Sequence, residues 1–365
     1  MPGPEKKKTA LSLSEGDEQP DSINKEAIHK LKKAKKKLPA TKEFFQGIRS
    51  GDISMLGQAI TLVESSLDSH QKAAQDLIRK CLPYSGHAFR LGITGIPGAG
   101  KSTFIESLGK HILREGGKLA VLAIDPSSER SKGSILGDKT RMEELAANPN
   151  AFIRPSPTGG TLGGVARKTR ETIILCEAAG FDTVFIETVG VGQSEIAVHS
   201  MVDFFLLIML PGTGDELQGI KRGIMEMADA IVINKSDGSN QVKARRAQAE
   251  FANALHLFPP SPSGWSPQVK TCSSLYNKGI SEVWALAMDY HTVVLENGYL
   301  AKKRQEQSSF WMHETIREGI YNQVFNDPEM KKELLLHEKA IAEGRITSFM
   351  AASSILNKYK SPDKS

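Results

Sequence analysis

One short stretch has the residue types and spacing to hold a polyphosphate. Gly95, Gly98, Gly100, Lys101 and Ser102 stand in the run Leu91-Gly-Ile-Thr-Gly-Ile-Pro-Gly-Ala-Gly-Lys-Ser-Thr103, which matches G-x-x-x-x-G-K-[ST] at full spacing. Glycines let the backbone curl until several N–H groups point inward as a nest for phosphate oxygens. A lysine at this place reaches the β- and γ-phosphates, and a serine hydroxyl binds the Mg²⁺ that bridges them. A helix that begins at the loop adds the positive end of its dipole. The flanks supply that context. Arg90–Thr94 reads as a short buried strand, and Phe104, Ile105, Leu108 and Ile112 recur at helical spacing. The expected phosphate cradle is Gly95, Ile96, Pro97, Gly98, Ala99, Gly100, Lys101, Ser102 and Thr103.

A second pattern selects the base. Asn234-Lys-Ser-Asp237 follows the apolar run Ala230–Ile233. A carboxylate such as Asp237 accepts from both N1–H and the 2-amino group of guanine. Adenine offers neither donor and would leave that carboxylate desolvated and unpaired. The Lys235 stem is expected to cover one face of the ring, and Asn234 to reach N7. In Thr271-Cys-Ser-Ser-Leu275, the turn of Ser273, Ser274 and Leu275 is expected to meet the guanine O6. GTP is favoured over ATP.

Three acids fit the metal beside Ser102. Asp125 and Glu187 each end a strand-like run, and Asp138 in Leu136-Gly-Asp-Lys139 is a further candidate. Gly190 can present its N–H to the γ-phosphate, which makes Thr188–Ser194 a segment that orders with the nucleotide. Lys101, Asp125, Glu187 and Gly190 form the expected catalytic set. In Ras-like enzymes the residue after this glycine is a glutamine that orients the attacking water. Here Val191 stands in its place, so slow intrinsic hydrolysis, accelerated by a partner, is expected.

An α/β scaffold must position these groups. Strand-like runs at Arg90–Thr94, Lys118–Ile124, Asp182–Glu187, Asp203–Leu210, Asp229–Asn234 and Val269–Cys272 alternate with helical patterns such as Gly164–Ala179 and Val242–Leu257. Such alternation predicts a mostly parallel sheet covered on both faces, with ligands at the carboxyl ends of its strands. Residues 87–290 are read as this P-loop nucleotide domain, and residues 41–86, rich in helical apolar spacing, as a small helical domain ahead of it. Residues 291–365 read as a helical extension, a pair of helices broken at Asn326-Asp-Pro328, whose apolar side must pack on the body or on a second copy. Residues 1–40 are read as a disordered basic tail.

Composition bounds the alternatives. The net charge of +5 sits mostly in residues 1–40, which hold ten Lys against six Asp or Glu, so the body is near neutral and no nucleic-acid face is indicated. That tail has no Arg, unlike a standard mitochondrial import signal. The longest apolar run, Phe204 to Leu210, is strand-sized, so no membrane span is expected. Cys81, Cys176 and Cys272 show no C-x-x-C spacing, against a zinc site or a disulfide framework. Met201, Met209, Met225 and Met227 are read as core, and Trp265, in a Pro-rich loop, as a surface cap.

Several connected stretches resemble one family. They are Gly-Ile-Pro-Gly-Ala-Gly-Lys-Ser-Thr103, Asp125-Pro-Ser-Ser128, Gly133 to Met142, Arg154 to Gly164, Glu187-Thr-Val-Gly-Val-Gly-Gln-Ser-Glu195 and Gly214 to Gly223. Together they resemble the MeaB/ArgK group of GTPases over about residues 41–360. The resemblance implies a SIMIBI-type G domain and a chaperone of methylmalonyl-CoA mutase. Such proteins gate the loading of adenosylcobalamin and protect or reactivate the mutase through GTP binding and hydrolysis. It implies a homodimer through the C-terminal helices, with the adenosyltransferase that supplies the cofactor as a further candidate partner. It also implies that the loop holding Asp215, Gln218 and Lys221 relays nucleotide state to the mutase. The protein would then work with its mutase, in the mitochondrial matrix of a eukaryote or the cytoplasm of a bacterium. Glu129-Arg-Ser-Lys132 departs from the family's small residues and paired glycines, which bears on switching in that loop. Two other readings share the phosphate loop. A nickel-type metallochaperone GTPase needs a Cys/His cluster that the sequence lacks, and the N-K-x-D pattern disfavours a P-loop kinase.

Overall fold

The computed structural model describes residues 38–124, 142–155, 162–188, 194–212 and 222–360. Among the described residues three helices come first: α1 (Thr41–Arg49), α2 (Ile53–Glu64) and α3 (Asp68–Cys81). Asp52 caps α2 by accepting from the Ser54 and Met55 N–H groups. The nucleotide fold then runs β1 (Phe89–Gly95), α4 (Lys101–Arg114), β2 (Leu119–Ile124), α5 (Glu143–Ala147), β3 (Ala151–Arg154), α6 (Leu162–Ala178), β4 (Thr183–Thr188) and α7 (Ser194–His199). It continues through β5 (Phe204–Met209), α8 (Arg222–Met227), β6 (Ala230–Ile233), α9 (Gln241–Leu255), β7 (Gln268–Thr271) and α10 (Ile280–Glu296). Last come α11 (Tyr299–Asn326), α12 (Pro328–Ala342) and α13 (Ser348–Lys360).

The seven strands among the described residues form one sheet in the order β3-β2-β4-β1-β5-β6-β7, and their pairings are parallel. The sequence reading missed β3, because Ala-Phe-Ile-Arg is too short to show a period; its pairing with β2 (Leu119 opposite Ala151) makes it a strand. Both faces are covered, as parallel sheets require. On β5, Phe204, Leu206 and Ile208 face a core shared with Phe104, Leu108 and Tyr290, while Phe205 joins the opposite core with Val198 and Ile173. That second core runs without a break into Phe44, Ile48, Leu56, Ile60 and Leu77 of α1–α3. Trp265 is not a surface cap. It is buried, packs edge-on against Tyr290 and donates from its indole N–H to the Asp229 carbonyl at 2.9 Å.

The C-terminal extension has three helices after α10, not a pair. The Pro328 break is where the sequence placed it, with Asp327 capping α12. A further helix begins after Gly344, which takes φ +70 beyond the end of α12.

A buried polar network ties α11 to the amino ends of β5 and β6. Arg304 bonds both oxygens of Asp203, at 2.8 and 2.6 Å, and also reaches the Gly86 and Ala88 carbonyls. Lys303 donates to the Asp203 carbonyl at 2.7 Å and lies 3.8 Å from Asp229. One turn on, Gln307 donates to the Val202 carbonyl and Trp311 to the Ser200 carbonyl. These bonds hold α11 against the chain that leaves α7.

Candidate functional site

The carboxyl ends of β1, β4, β6 and β7 bring the described site residues together. Thr94, next to last in β1, has its hydroxyl bonded to that of Thr188 on β4, at 2.8 Å, and both are buried. The chain then curls through Gly95, Gly98 and Gly100, all at positive φ. At Gly95 a side chain is impossible, since a Cβ would lie 2.2 Å from the Ile208 carbonyl oxygen. Gly100 is the residue before α4, and a Cβ there would meet the Asn234 amide at 2.8 Å. The loop can therefore close only with glycine at these places.

Lys101, the first residue of α4, folds back over the loop and donates to the Gly95 carbonyl at 2.9 Å. Burial pulls its pKa below the usual lysine value, opposed by the nearby Glu187 and Glu195 carboxylates. Ser102 lies beside Glu187, its hydroxyl 3.4 Å from Glu187 Oε1. Glu187 is nearly buried near the carboxyl end of β4. A serine hydroxyl next to a carboxylate at a phosphate loop is a hard-oxygen donor set of the kind Mg²⁺ takes. Thr103 is exposed, and Ile96 packs partly buried against the cores on both sides.

Asn234 has contacts beyond the expected reach to the base. Its side chain is buried and acts as a tie: Nδ2 donates to the Ala99 carbonyl at 2.8 Å, and Oδ1 accepts from the Ser274 N–H and hydroxyl. The phosphate loop and the turn after β7 are thus joined through one amide, which leaves a single Nδ2 hydrogen for anything else. Lys235 takes φ +58, and its stem passes beside Gly100. Asp237 is half-buried and accepts from the Ser273 hydroxyl at 2.7 Å, which fixes the carboxylate plane. Ser273 pairs with Lys278 in an isolated antiparallel bridge, closing the turn that carries Ser274 and the exposed Leu275.

The predicted residues Gly95 to Ser102, Glu187, Asn234, Lys235, Asp237, Ser273, Ser274 and Leu275 therefore converge at one end of the sheet. Asp125, Asp138, Gly190, Asp215, Gln218 and Lys221 lie outside the described residues, as does the Glu129–Lys132 departure. The sequence reading passed over Ser107, whose hydroxyl donates to the Ser274 carbonyl at 2.7 Å. A hydroxyl set between Phe104, Ile105 and Leu108 on a buried helix was the available signal. Among the described residues, no group of three or more His, Cys, Asp or Glu could hold a metal ion, and no helix is long and apolar enough to cross a membrane.

Comparison with known proteins shows the family. A family profile described as methylmalonyl Co-A mutase-associated GTPase MeaB matches residues 56–329. A probable GTPase of Mycobacterium tuberculosis is 49% identical over 309 residues, covering 85% of this chain and 92% of that protein. The mitochondrial methylmalonic aciduria type A homolog of Mus musculus is 46% identical over 327 residues, covering 87% of this chain and 79% of that protein. GTPase ArgK of Escherichia coli is 47% identical over 290 residues, covering 80% and 88%. Among solved structures, one titled LAO/AO transport system kinase superposes with a TM-score of 0.72 at 37% identity, covering 88% of this chain and 98% of that one.

Proposed function

We propose that this chain, which belongs to the MeaB family of methylmalonyl-CoA mutase-associated GTPases, is a GTP-driven chaperone of that mutase. In this role, GTP binding and hydrolysis gate the loading of adenosylcobalamin and protect or reactivate the enzyme. The observation that carries the reading is the tie between phosphate and base sites. Asn234 links the phosphate loop to the turn after β7, and Ser273 on that turn orients Asp237. A guanine held by Asp237 is then registered against a triphosphate held by Lys101.

The residues divide the work. Lys101 exchanges its Gly95 carbonyl partner for a phosphate oxygen, and its partial burial leaves the ammonium poorly hydrated and so strongly attracted to the anion. Ser102 and Glu187, with Asp125 and Asp138, would hold Mg²⁺, which supplies charge neutralisation across the β- and γ-phosphates. Gly190 serves the γ-phosphate, and Asp215, Gln218 and Lys221 carry nucleotide state to the mutase. Glu187 and Thr188 lead directly into Gly190, so metal and γ-phosphate are sensed at one strand end.

The C-terminal helices supply the second copy's seat. Met312, Ile316 and Ile320 on α11, Leu335 and Leu336 on α12, and Phe349 (84% exposed) on α13 leave a large apolar surface in the single chain. Patches of this extent mark an interface, and a homodimer through these helices covers it. The working place is that of the mutase, mitochondrial in a eukaryote and cytoplasmic in a bacterium.

The test is GTP hydrolysis with and without purified methylmalonyl-CoA mutase, with Lys101→Ala as the blank. A slow basal rate raised at least about tenfold, ~1.4 kcal/mol of barrier, is expected. A rate that the mutase leaves unchanged, with no complex on a sizing column, overturns the chaperone reading.

A further inference from the structure

We infer that Ser107, in the second turn of α4 and remote from the phosphates, is a positioning residue that aims the Leu275 N–H at the nucleotide base. This rests on the GTP reading above and deepens it. The Ser274 residue is fixed on three sides. Its N–H and its hydroxyl both donate to Asn234 Oδ1, at 3.1 and 2.8 Å, and its carbonyl accepts from the Ser107 hydroxyl at 2.7 Å, with the Asn277 N–H a longer second donor at 3.4 Å. Ser107 is buried among the apolar residues of α4, so its hydroxyl direction is set by this bond rather than by water.

A trans peptide is planar, and its C=O and the next N–H point in opposite directions. Turning the Ser274 carbonyl toward Ser107 therefore turns the Leu275 N–H away from α4. Among the described residues that N–H has no acceptor, although the Leu275 side chain beside it is exposed. An outward N–H fixed at the rim of the site is a donor for a base carbonyl. Guanine presents O6 to it, whereas adenine presents an amino group, a second donor, and is repelled. Ser107 thus contributes to base choice without touching the base. Because it stands on the helix that starts at Lys101, phosphate grip and base choice share one rigid element.

The experiment compares dissociation constants of the full chain for GTP, 6-thio-GTP, ITP and ATP, by competition against a fluorescent GDP. Sulfur at position 6 is a weak acceptor and reports the Leu275 donor. ITP lacks the 2-amino group but keeps O6, so it reports Asp237 instead. Ser107→Ala is expected to weaken GTP by about tenfold and 6-thio-GTP by far less, shrinking that ratio while the GTP-to-ITP ratio holds. Ser107→Cys, with a weaker donor in nearly the same volume, is expected to fall between, and Ser107→Thr to restore the wild-type ratio. The two variants keep the comparison open even where the alanine form fails to fold. A wild type that selects GTP over ATP, with Ser107 variants that keep the full GTP-to-6-thio-GTP ratio, overturns the inference alone. A wild type that binds ATP as tightly as GTP overturns the guanine reading and the inference with it.

Discussion

The two ends of the sheet carry similar charged residues and use them in opposite ways. At the amino ends, Asp203, Asp229, Lys303, Arg304, Arg90 and Glu177 are bonded to one another or to backbone. At the carboxyl ends, among the described residues, Lys101 rests on a loop carbonyl, Asp237 accepts from the Ser273 hydroxyl and the Leu275 N–H has no acceptor. The first set is engaged with partners inside the protein; the second has been aimed and left with capacity to spare. Burial of charge alone therefore does not mark the functional end. What marks it is charge held in position by partners that a ligand can replace or supplement.

That contrast can be broken at either end. Arg304→Ala removes one member of a buried, bidentate pair and leaves Asp203 uncompensated, which is expected to cost about 3–5 kcal/mol in urea unfolding. The same variant should retain its preference for GTP over ATP wherever it remains folded. Lys101→Ala is expected to lower GTP turnover by about 10²–10³-fold while leaving the unfolding midpoint close to wild type, because no fold element depends on its bond. Equal stability losses from the two variants would erase the distinction.

Finer cuts follow. Asp237→Asn exchanges an acceptor for a donor toward N1–H and the 2-amino group, so GTP affinity should fall by about 10-fold to 100-fold and xanthosine triphosphate should gain. His199, close to the amino-end network, gives a pH signature. Burial, together with the nearby Lys303 cation, pushes its pKa down to about 4, from 6.5 in an open chain. Between those values the unfolded chain binds a proton that the folded chain refuses. Stability contributed by the neutral ring is thus present above pH 6.5 and lost as pH falls toward 4. His199→Gln should flatten the decline in unfolding free energy over that window by about 1–3 kcal/mol. Nucleotide base preference should not follow the same titration.

Among the described residues, where the groups of the carboxyl end sit was legible in the sequence because its parts are local words. Gly95 to Ser102 and Asn234 to Asp237 each specify a backbone shape and a chemistry within a few residues, and alternation of strands and helices placed both at strand ends. The amino end was not legible. Asp203 and Arg304 are 101 residues apart, and nothing near either one announces the other. Asn234 was half read: its expected reach to the base uses one Nδ2 hydrogen, while its other amide hydrogen and its Oδ1 tie Ala99 to Ser274, contacts that only the packed loops create. Trp265 misled because prolines around it suggested a surface loop, whereas its indole reaches the Asp229 carbonyl under the sheet. Short β3 carried no period to find, and Ser107 looked like an ordinary interruption of an apolar helix face.

The strand order has a consequence for how the chain is born. β1, which carries the phosphate loop, lies between β4 and β5, with Leu91 opposite both Phe185 and Phe204. Neither neighbour exists until close to a hundred further residues have been made, which at ~5–20 residues per second leaves β1 unpaired for roughly 5–20 s. During that interval its apolar edge is open to any strand nearby, and the long loop must still close before pairing is rewarded. The phosphate loop is therefore made well before the two strands that hold it in place, and its assembly waits for them.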